Sequence, residues 1–204
     1  MTALDLLLPS SCAGCGRRGT ACCATCLAGF GPPTQIQVPG VGPPVWALAA
    51  YHGAARELVL AFKERGARPL VAWFGALVAA ALVAVGPPPW TLVPAPSRRS
   101  AARDRGGDHM LRIARAVHVA AVAPVLGLAA GVRDSVGLGA GARRRNLEGR
   151  VVVGGRPPPG TVVLLDDVVT TGATAAACVR ALRGCGVRTH AVLVLTSARL
   201  RQSG

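Results

Sequence analysis

Two adjacent acidic residues at the end of an apolar run have the clearest chemical potential in the sequence. Asp166 and Asp167 directly follow the run from Val162 to Leu165, which is typical of a buried strand. Two carboxylates there are costly to desolvate unless a cation or hydrogen-bond donor meets them. Ligands of open α/β sheets bind beyond the carboxyl ends of strands. The acids are therefore candidate ligand contacts; the alternative is an ordinary turn with Asp and Thr as cap residues.

The residues after the acids offer donors instead of acceptors. They read Val168, Val169, Thr170, Thr171, Gly172, Ala173 and Thr174. The threonines supply hydroxyl groups, and the start of the helix that follows supplies unpaired N–H groups to an anion. Because carboxylates repel phosphate, one molecule that satisfies both ends needs hydroxyls on one side and an anion on the other. A ribose 5-phosphate has this shape.

The thirteen residues from Val162 to Thr174 resemble the phosphoribosyl pyrophosphate signature of type I phosphoribosyltransferases at every position. The resemblance implies that Asp166 and Asp167 are the catalytic acids and hold the ribose 2- and 3-hydroxyls, in some family members through Mg²⁺. It also implies that the loop from Thr170 to Thr174 holds the 5-phosphate.

Two Cys-x-x-Cys pairs near the beginning of the chain predict a metal site. The pairs are Cys12 with Cys15 and Cys23 with Cys26, separated by seven residues. Four thiolates at this spacing can close a tetrahedral, structural zinc site with no open position. Cys22 could replace Cys23, although its spacing to Cys26 is less usual. Disulfides are the weaker alternative because no secretion signal precedes the cysteines.

A four-cysteine motif before a phosphoribosyltransferase signature resembles the ComF competence-protein family, also called GntX-like, over nearly the whole chain. Further matching landmarks are Tyr51, Arg56, Lys63, Val93-Pro94-Ala95-Pro96, Arg143-Arg144-Arg145-Asn146-Leu147 and Thr196-Ser197-Ala198-Arg199. The family is tied to natural transformation, so the resemblance implies a role in competence and DNA uptake.

The resemblance also implies two further loops around the reacting centre. Ala95 and Pro96, helped by Arg103 and Arg105, would bind pyrophosphate. A mobile loop with Arg143, Arg144 and Asn146 would close over the ligand. The chain departs from the family near both loops. It reads Arg105-Gly106-Gly107-Asp108-His109 where Arg-Gly-Phe-Asn-Gln is usual, and Ser135 where Gln is usual.

Two functions follow from these expectations. The first is an enzyme, a pentosyl transferase that moves ribosyl phosphate from phosphoribosyl pyrophosphate, with Mg²⁺, to a nucleophile and releases pyrophosphate. The second is a non-catalytic module that senses a ribose phosphate and engages single-stranded DNA or proteins of DNA uptake and recombination. The formal net charge of +14 suits phosphate contacts, but an arginine excess is equally explained by a GC-rich coding sequence.

The elements that must position these residues alternate along the chain. Strands are expected at 45–50, 90–93, 161–165 and 191–195, and helices at 55–63, 70–85, 108–122 and 174–184, with a loop at 132–150. Apolar strands separated by helices predict an α/β fold, a type I phosphoribosyltransferase-like parallel sheet flanked by helices, with a small N-terminal zinc knuckle.

The composition divides the chain into three parts. Residues 1–30 hold five of the seven cysteines and form the predicted zinc module, 31–44 is a Pro- and Gly-rich linker, and 45–204 is the phosphoribosyltransferase-like domain. The uncharged stretch 70–86 is short and Ala-rich for a membrane span, which favours a buried helix. Without a positive signal region, we expect a cytoplasmic protein with no membrane span.

Overall fold

A computed structural model describes residues 11–97, 108–129 and 150–200 of the chain. Within these ranges the strands are β1 (Thr34–Ile36), β2 (Val45–Ala50), β3 (Trp90–Pro94), β4 (Ala121–Val122), β5 (Leu126–Leu128), β6 (Val151–Val153), β7 (Thr161–Val169) and β8 (Thr189–Ser197). The main sheet has the order β1-β2-β8-β7-β3-β4, and β5 pairs with β6 in a separate antiparallel ribbon.

The main sheet is parallel except at one edge. Strands β2, β8, β7, β3 and β4 pair in parallel, and only the pairing of β1 with β2 is antiparallel. β7 and β8 occupy the centre, where Leu164, Leu165, Leu193 and Leu195 have no exposed surface. Strands buried on both faces explain the continuous apolar runs in the sequence.

Helices cover both faces of the sheet. They are α1 (Ala24–Leu27), α2 (Gly53–Lys63), α3 (Leu70–Val85), α4 (His109–Ala116) and α5 (Ala173–Gly184). Residues of α2, α3 and α4 share one hydrophobic cluster with the amino-terminal cysteines, and α5 belongs to the cluster on the other face. The predicted α/β class, a mostly parallel sheet flanked by helices with an N-terminal cysteine cluster, is confirmed.

One helix differs from its predicted form. The helix expected over 108–122 ends at Ala116, and Ala121–Val122 instead forms edge strand β4 beside β3. Hydrogen bonding at the open edge of β3 therefore outweighs the helical spacing of apolar residues. The expected linker 31–44 contains β1, and its Val38 and Val41 are buried against the α5 face. The loop expected over 132–150 lies outside the described residues except for position 150.

The uncharged stretch forms α3, which is buried on one face only. Phe74, Val78 and Leu82 are almost completely buried, whereas Trp73 and Val83 are 41% and 76% exposed. Among the described residues, no helix combines the length and the apolar character needed to cross a membrane.

Candidate functional site

The two acids lie where β7 extends beyond its neighbour β3. Pro94, the last residue of β3, pairs with Leu165, and the Ala95 N–H donates to the Leu165 carbonyl oxygen at 2.8 Å. β7 continues through Asp166 and Asp167 in register with β8. The acids therefore stand at the carboxyl edge of the sheet, the edge at which α/β folds bind ligands.

Asp167 is buried within an ion-paired cluster. Its Oδ2 atom lies 2.8 Å from Lys63 Nζ at the end of α2 and 2.8 Å from His109 Nε2 at the start of α4. Burial raises the pKa of Asp167, but the charges and hydrogen bonds of Lys63 and His109 outweigh burial and hold that pKa well below its usual range. Burial likewise lowers the pKa of Lys63, and the Asp167 carboxylate reverses this effect and raises it.

Asp166 is partly exposed and has a different environment. Its Oδ1 atom accepts a hydrogen bond from the backbone N–H of Asp167 at 2.9 Å. Desolvation and the neighbouring Asp167 carboxylate together raise the pKa of Asp166 to about 7. Asp166 thus changes charge near neutral pH, while Asp167 stays ionised.

The threonine-rich loop after β7 turns sharply into α5. Gly172 precedes the first residue of α5 with φ +83°, a left-handed conformation that glycine adopts without a Cβ clash. The Thr171 hydroxyl oxygen accepts a long 3.4 Å hydrogen bond from the Ala173 N–H. Arg199 donates from Nε to the Thr170 carbonyl oxygen at 3.0 Å and so joins the end of β8 to the loop. The Ala173 N–H thus has a weak partner in Thr171, and the first N–H groups of a helix, which lack partners within the helix, are of the kind that can meet an anion.

The loop after β3 is fixed by the residue that begins α4. The Asp108 side chain accepts hydrogen bonds from the N–H groups of Met110 and Leu111, which is a helix N-cap. Its Oδ2 atom also accepts from the N–H of Ser97 at 3.1 Å and from the Ser97 hydroxyl at 2.6 Å. The predicted pyrophosphate-loop residues Ala95 and Pro96 lie just before Ser97.

The other predicted loop residues cannot be placed. Arg103 and Arg105 lie outside the described residues. The same holds for Arg143, Arg144 and Asn146. The roles given to them by family resemblance stay predictions.

Four cysteines are clustered in a geometry that can hold a metal ion such as zinc. The Sγ atoms of Cys12, Cys15, Cys23 and Cys26 all lie within 4.8 Å of one another, and Cys15 and Cys23 are 3.7 Å apart. Zn–S bonds of about 2.3 Å in a tetrahedron require sulfur atoms about 3.8 Å apart. Cys22 is outside this set, and its thiol points to the Cys23 carbonyl oxygen at 3.8 Å.

Backbone N–H groups favour the thiolate form within this cluster. The Cys23 N–H donates to Cys12 Sγ at 3.3 Å. Burial opposes ionisation of Cys12, but the N–H groups of Cys23, Gly14 and Cys15 outweigh it and lower the pKa of Cys12 to about 6. Gly14 has no room for a side chain, since a Cβ would stand 2.9 Å from Cys26 Sγ. The donor set, spacing and backbone support all fit a structural zinc ion.

Lys63 and His109 are the contacts that sequence reasoning did not assign. Lys63 is the only lysine of the chain and is predicted only as a landmark of the family, and His109 appears only as a departure from the family pattern. They are 104 and 58 positions from Asp167, and no local pattern links residues so far apart. Only the packing of α2 and α4 on one face of β7 brings them together.

Comparison with known proteins gives structural likeness alone. No family model matches the chain, and no curated protein matches it. A solved structure of a hypoxanthine phosphoribosyltransferase from Staphylococcus aureus, in its orthorhombic crystal form, has a TM-score of 0.37 and 12% identity. That match covers 66% of this chain and 68% of the other. The tetragonal form gives a TM-score of 0.34 and 13% identity, over 62% and 61% of the two chains. Likeness at this level assigns no function.

Proposed function

We propose that this protein binds the ribose 5-phosphate part of phosphoribosyl pyrophosphate at the junction of β7 and α5. The observation that carries the proposal is the arrangement of one short segment. A partly exposed carboxylate, Asp166, precedes a tight turn at Gly172 that leads into the amino end of α5. Acceptors for ribose hydroxyls and donors for a phosphate therefore lie within one short segment, from Asp166 to Ala173.

Hydrogen-bond complementarity supports a ribose phosphate over a simple anion. A carboxylate accepts hydrogen bonds and repels phosphate, so the Asp166 end of the segment suits a pair of hydroxyl groups. The hydroxyls of Thr170 and Thr171 and the first N–H groups of α5 suit the phosphate oxygens.

We further propose that the protein is a phosphoribosyltransferase that uses bound phosphoribosyl pyrophosphate. The bond from C1 of the ribose to pyrophosphate breaks, a bond from C1 to an acceptor nucleophile forms, and pyrophosphate leaves with its electron pair. Mg²⁺, held near Asp166 and the pyrophosphate, would neutralise charge on the leaving group. Within the loop from Val168 to Thr174 there is no side chain that can act as a strong base, so the chain contributes by positioning and charge stabilisation.

The remaining loops would complete this site. Ala95 and Pro96 follow β3 at the same edge of the sheet and are the proposed pyrophosphate loop, together with Arg103 and Arg105. Arg143, Arg144 and Asn146 are the proposed closing loop. Positive groups there would meet the negative charge that develops as pyrophosphate departs.

A structural zinc ion is proposed for Cys12, Cys15, Cys23 and Cys26. The ion would stabilise the amino-terminal module, which packs against α2 through buried cysteines. Four thiolate ligands require a compartment in which cysteines stay reduced, such as the cytoplasm.

The second candidate function is a competence factor that senses a ribose phosphate and binds single-stranded DNA. The observation that favours it is the exposure of Arg17 and Arg18 beside the cysteine cluster, in a chain of net charge +14. If this face binds DNA, affinity should fall steeply with added salt because counterions are released. No binding to an oligonucleotide at low salt would remove this candidate.

Isothermal titration of the zinc-loaded protein with phosphoribosyl pyrophosphate, with and without Mg²⁺, tests the main proposal. We expect saturable binding that is abolished by the double variant Asp166→Asn/Asp167→Asn. Pyrophosphate release with a panel of nitrogen nucleophiles then separates a transferase from a sensor. Unchanged affinity in the double variant would refute the assignment of the site.

A further inference from the structure

The two adjacent acids face opposite sides of the sheet. Successive side chains of a strand alternate between faces. Val163 and Leu165 belong to the hydrophobic cluster with α2, α3 and α4, whereas Val162 and Leu164 belong to the cluster with α5. By the same alternation Asp167 faces α2 and α4, where Lys63 and His109 meet it, and Asp166 faces α5.

This alternation places only one acid on the side of the phosphate loop. The loop from Thr170 leads directly into α5. Burial raises the pKa of Cys178 on that helix, and the charge of Asp166 raises it further, so Asp166 lies on the α5 side. Among the described residues, the Asp166 carboxylate accepts a hydrogen bond only from the Asp167 N–H. Asp166 therefore keeps acceptor capacity for a ligand.

Asp167, in contrast, is engaged inside the protein. It is 3% exposed, and one oxygen, Oδ2, takes both the Lys63 ammonium and the His109 ring at 2.8 Å. Its backbone oxygen accepts from the Thr196 hydroxyl at 3.2 Å. A ligand hydroxyl that approached Oδ2 would have to displace the Lys63 ammonium and the His109 ring on the α2 and α4 side.

His109 is enclosed in the same cluster as Asp167. His109 is 6% exposed, and its Nδ1 atom is buried without a hydrogen-bond partner among the described residues. Its other ring nitrogen, Nε2, contacts Asp167, so the ring is held inside the protein on the α4 side.

From this geometry we infer that the two acids have separate roles: Asp166 contacts the ribose hydroxyls, and Asp167 is a positioning residue held by Lys63 and His109. The inference rests on the proposed function. It changes the family-based expectation, in which both acids hold the ribose. Asp167 acts through its backbone N–H, which fixes the Asp166 carboxylate, and through its anchoring of β7 to α2 and α4.

The single variants Asp166→Asn and Asp167→Asn separate the two roles. Asp166→Asn should weaken phosphoribosyl pyrophosphate binding by about tenfold to a hundredfold, the range for a lost hydrogen bond to a charged group, with no fall in melting temperature. Asp167→Asn should lower the melting temperature by about 5–10 °C because it leaves the Lys63 ammonium beside a neutral group. Its affinity, measured below that temperature, should stay within about threefold of wild type.

The pH dependence of affinity gives a readout that a purely structural role would not move. The ionisable groups near enough to interact electrostatically with Asp166 are Cys178 on its own side, on α5, and Asp167, Lys63 and His109 on the other side of the strand. Wild-type affinity should rise as Asp166 ionises near pH 7. In Asp167→Asn the like charge is gone, so the midpoint should move to lower pH. Titration of the ligand phosphate is common to both proteins and cancels in the difference.

A compensating variant covers the case in which Asp167→Asn fails to fold. Lys63→Met/Asp167→Asn removes the unpaired ammonium as well, and it should recover melting temperature and bind the ligand. Two results would overturn the inference: Asp167→Asn with wild-type stability and the affinity loss of Asp166→Asn, or a folded double variant that does not bind. A wild-type protein that does not bind at all would instead remove the proposed function.

Discussion

Substitution of Gly172 by alanine tests how the loop from Thr170 to Thr174 is held in place. Gly172 has a φ of +83°, and a Cβ built on it would overlap Val38 Cγ1 and stand 3.2 Å from Val41 Cγ2. Both valines are buried and belong to the segment between the cysteine module and β2. Gly172→Ala therefore meets two penalties at once, one from the backbone and one from packing.

The two penalties have separate magnitudes. A non-glycine residue in the left-handed region costs roughly 1 kcal/mol. Insertion of a methyl group into a packed contact costs about 1–3 kcal/mol, because backbone and side chains must shift. We therefore expect Gly172→Ala to lower the free energy of unfolding by about 2–4 kcal/mol. Ligand affinity should fall as well, since the displaced turn precedes the first N–H groups of α5.

Urea unfolding of the zinc-loaded protein, without ligand, measures this effect. Gly186→Ala is the matched control, because Gly186 has a φ of +76° and no atom within 4 Å of a built Cβ. Its free energy of unfolding should fall by only roughly 1 kcal/mol, the cost of the left-handed backbone conformation. Val38→Ala added to Gly172→Ala should recover part of the difference. Equal losses in the two glycine variants would refute the packing of Val38 on this loop.

Further predictions concern the metal, pH and the loop after β3. Cys26→Ser, or a chelator, should release zinc and unfold the amino-terminal module, as seen by metal analysis and proteolysis, whereas Cys185→Ser, an exposed thiol outside the cluster, should do neither. Folding raises the pKa of Asp166 to about 7, so between about pH 4 and pH 7 the native state holds a proton that the unfolded state has lost. The contribution of this proton to the free energy of unfolding is full below about pH 4 and is lost as pH rises through about 7. Asp166→Asn should therefore be more stable than wild type at pH 8, by about 1–2 kcal/mol after allowance for its partial exposure; equal stability at pH 8 would contradict the raised pKa. Asp108→Ala should cost about 1–2 kcal/mol in urea unfolding, since it removes the cap of α4 and both Ser97 bonds, and a loss no larger than for a surface residue would contradict that role.

The sequence predicts best what local pattern determines. Continuous apolar runs locate the central strands β7 and β8, because a strand that is covered on both faces is apolar at successive positions. The acids and the loop to Thr174 form one contiguous segment, so the sequence alone can predict them as a site. The cysteine pairs identify their cluster because metal ligands lie at fixed short spacings.

Features that depend on tertiary contacts are not visible in the sequence. Ala121–Val122 becomes a strand because the edge of β3 is open, although its spacing suits a helix. Lys63 and His109 meet Asp167 only after α2 and α4 pack on the same face of β7. The different environments of Asp166 and Asp167 likewise arise because neighbouring side chains of a strand face two different helical layers. Two adjacent aspartates in the sequence do not show this difference.

The central claim is that a ribose phosphate binds between Asp166 and the amino end of α5. A crystal structure of the zinc-loaded protein with phosphoribosyl pyrophosphate and Mg²⁺ tests it most directly. We expect electron density for the 5-phosphate at the N–H groups that follow Thr171, with ribose hydroxyls on the Asp166 carboxylate and Asp167 still bound to Lys63 and His109. Ligand density elsewhere on the protein, with this junction empty at saturating ligand, would contradict it.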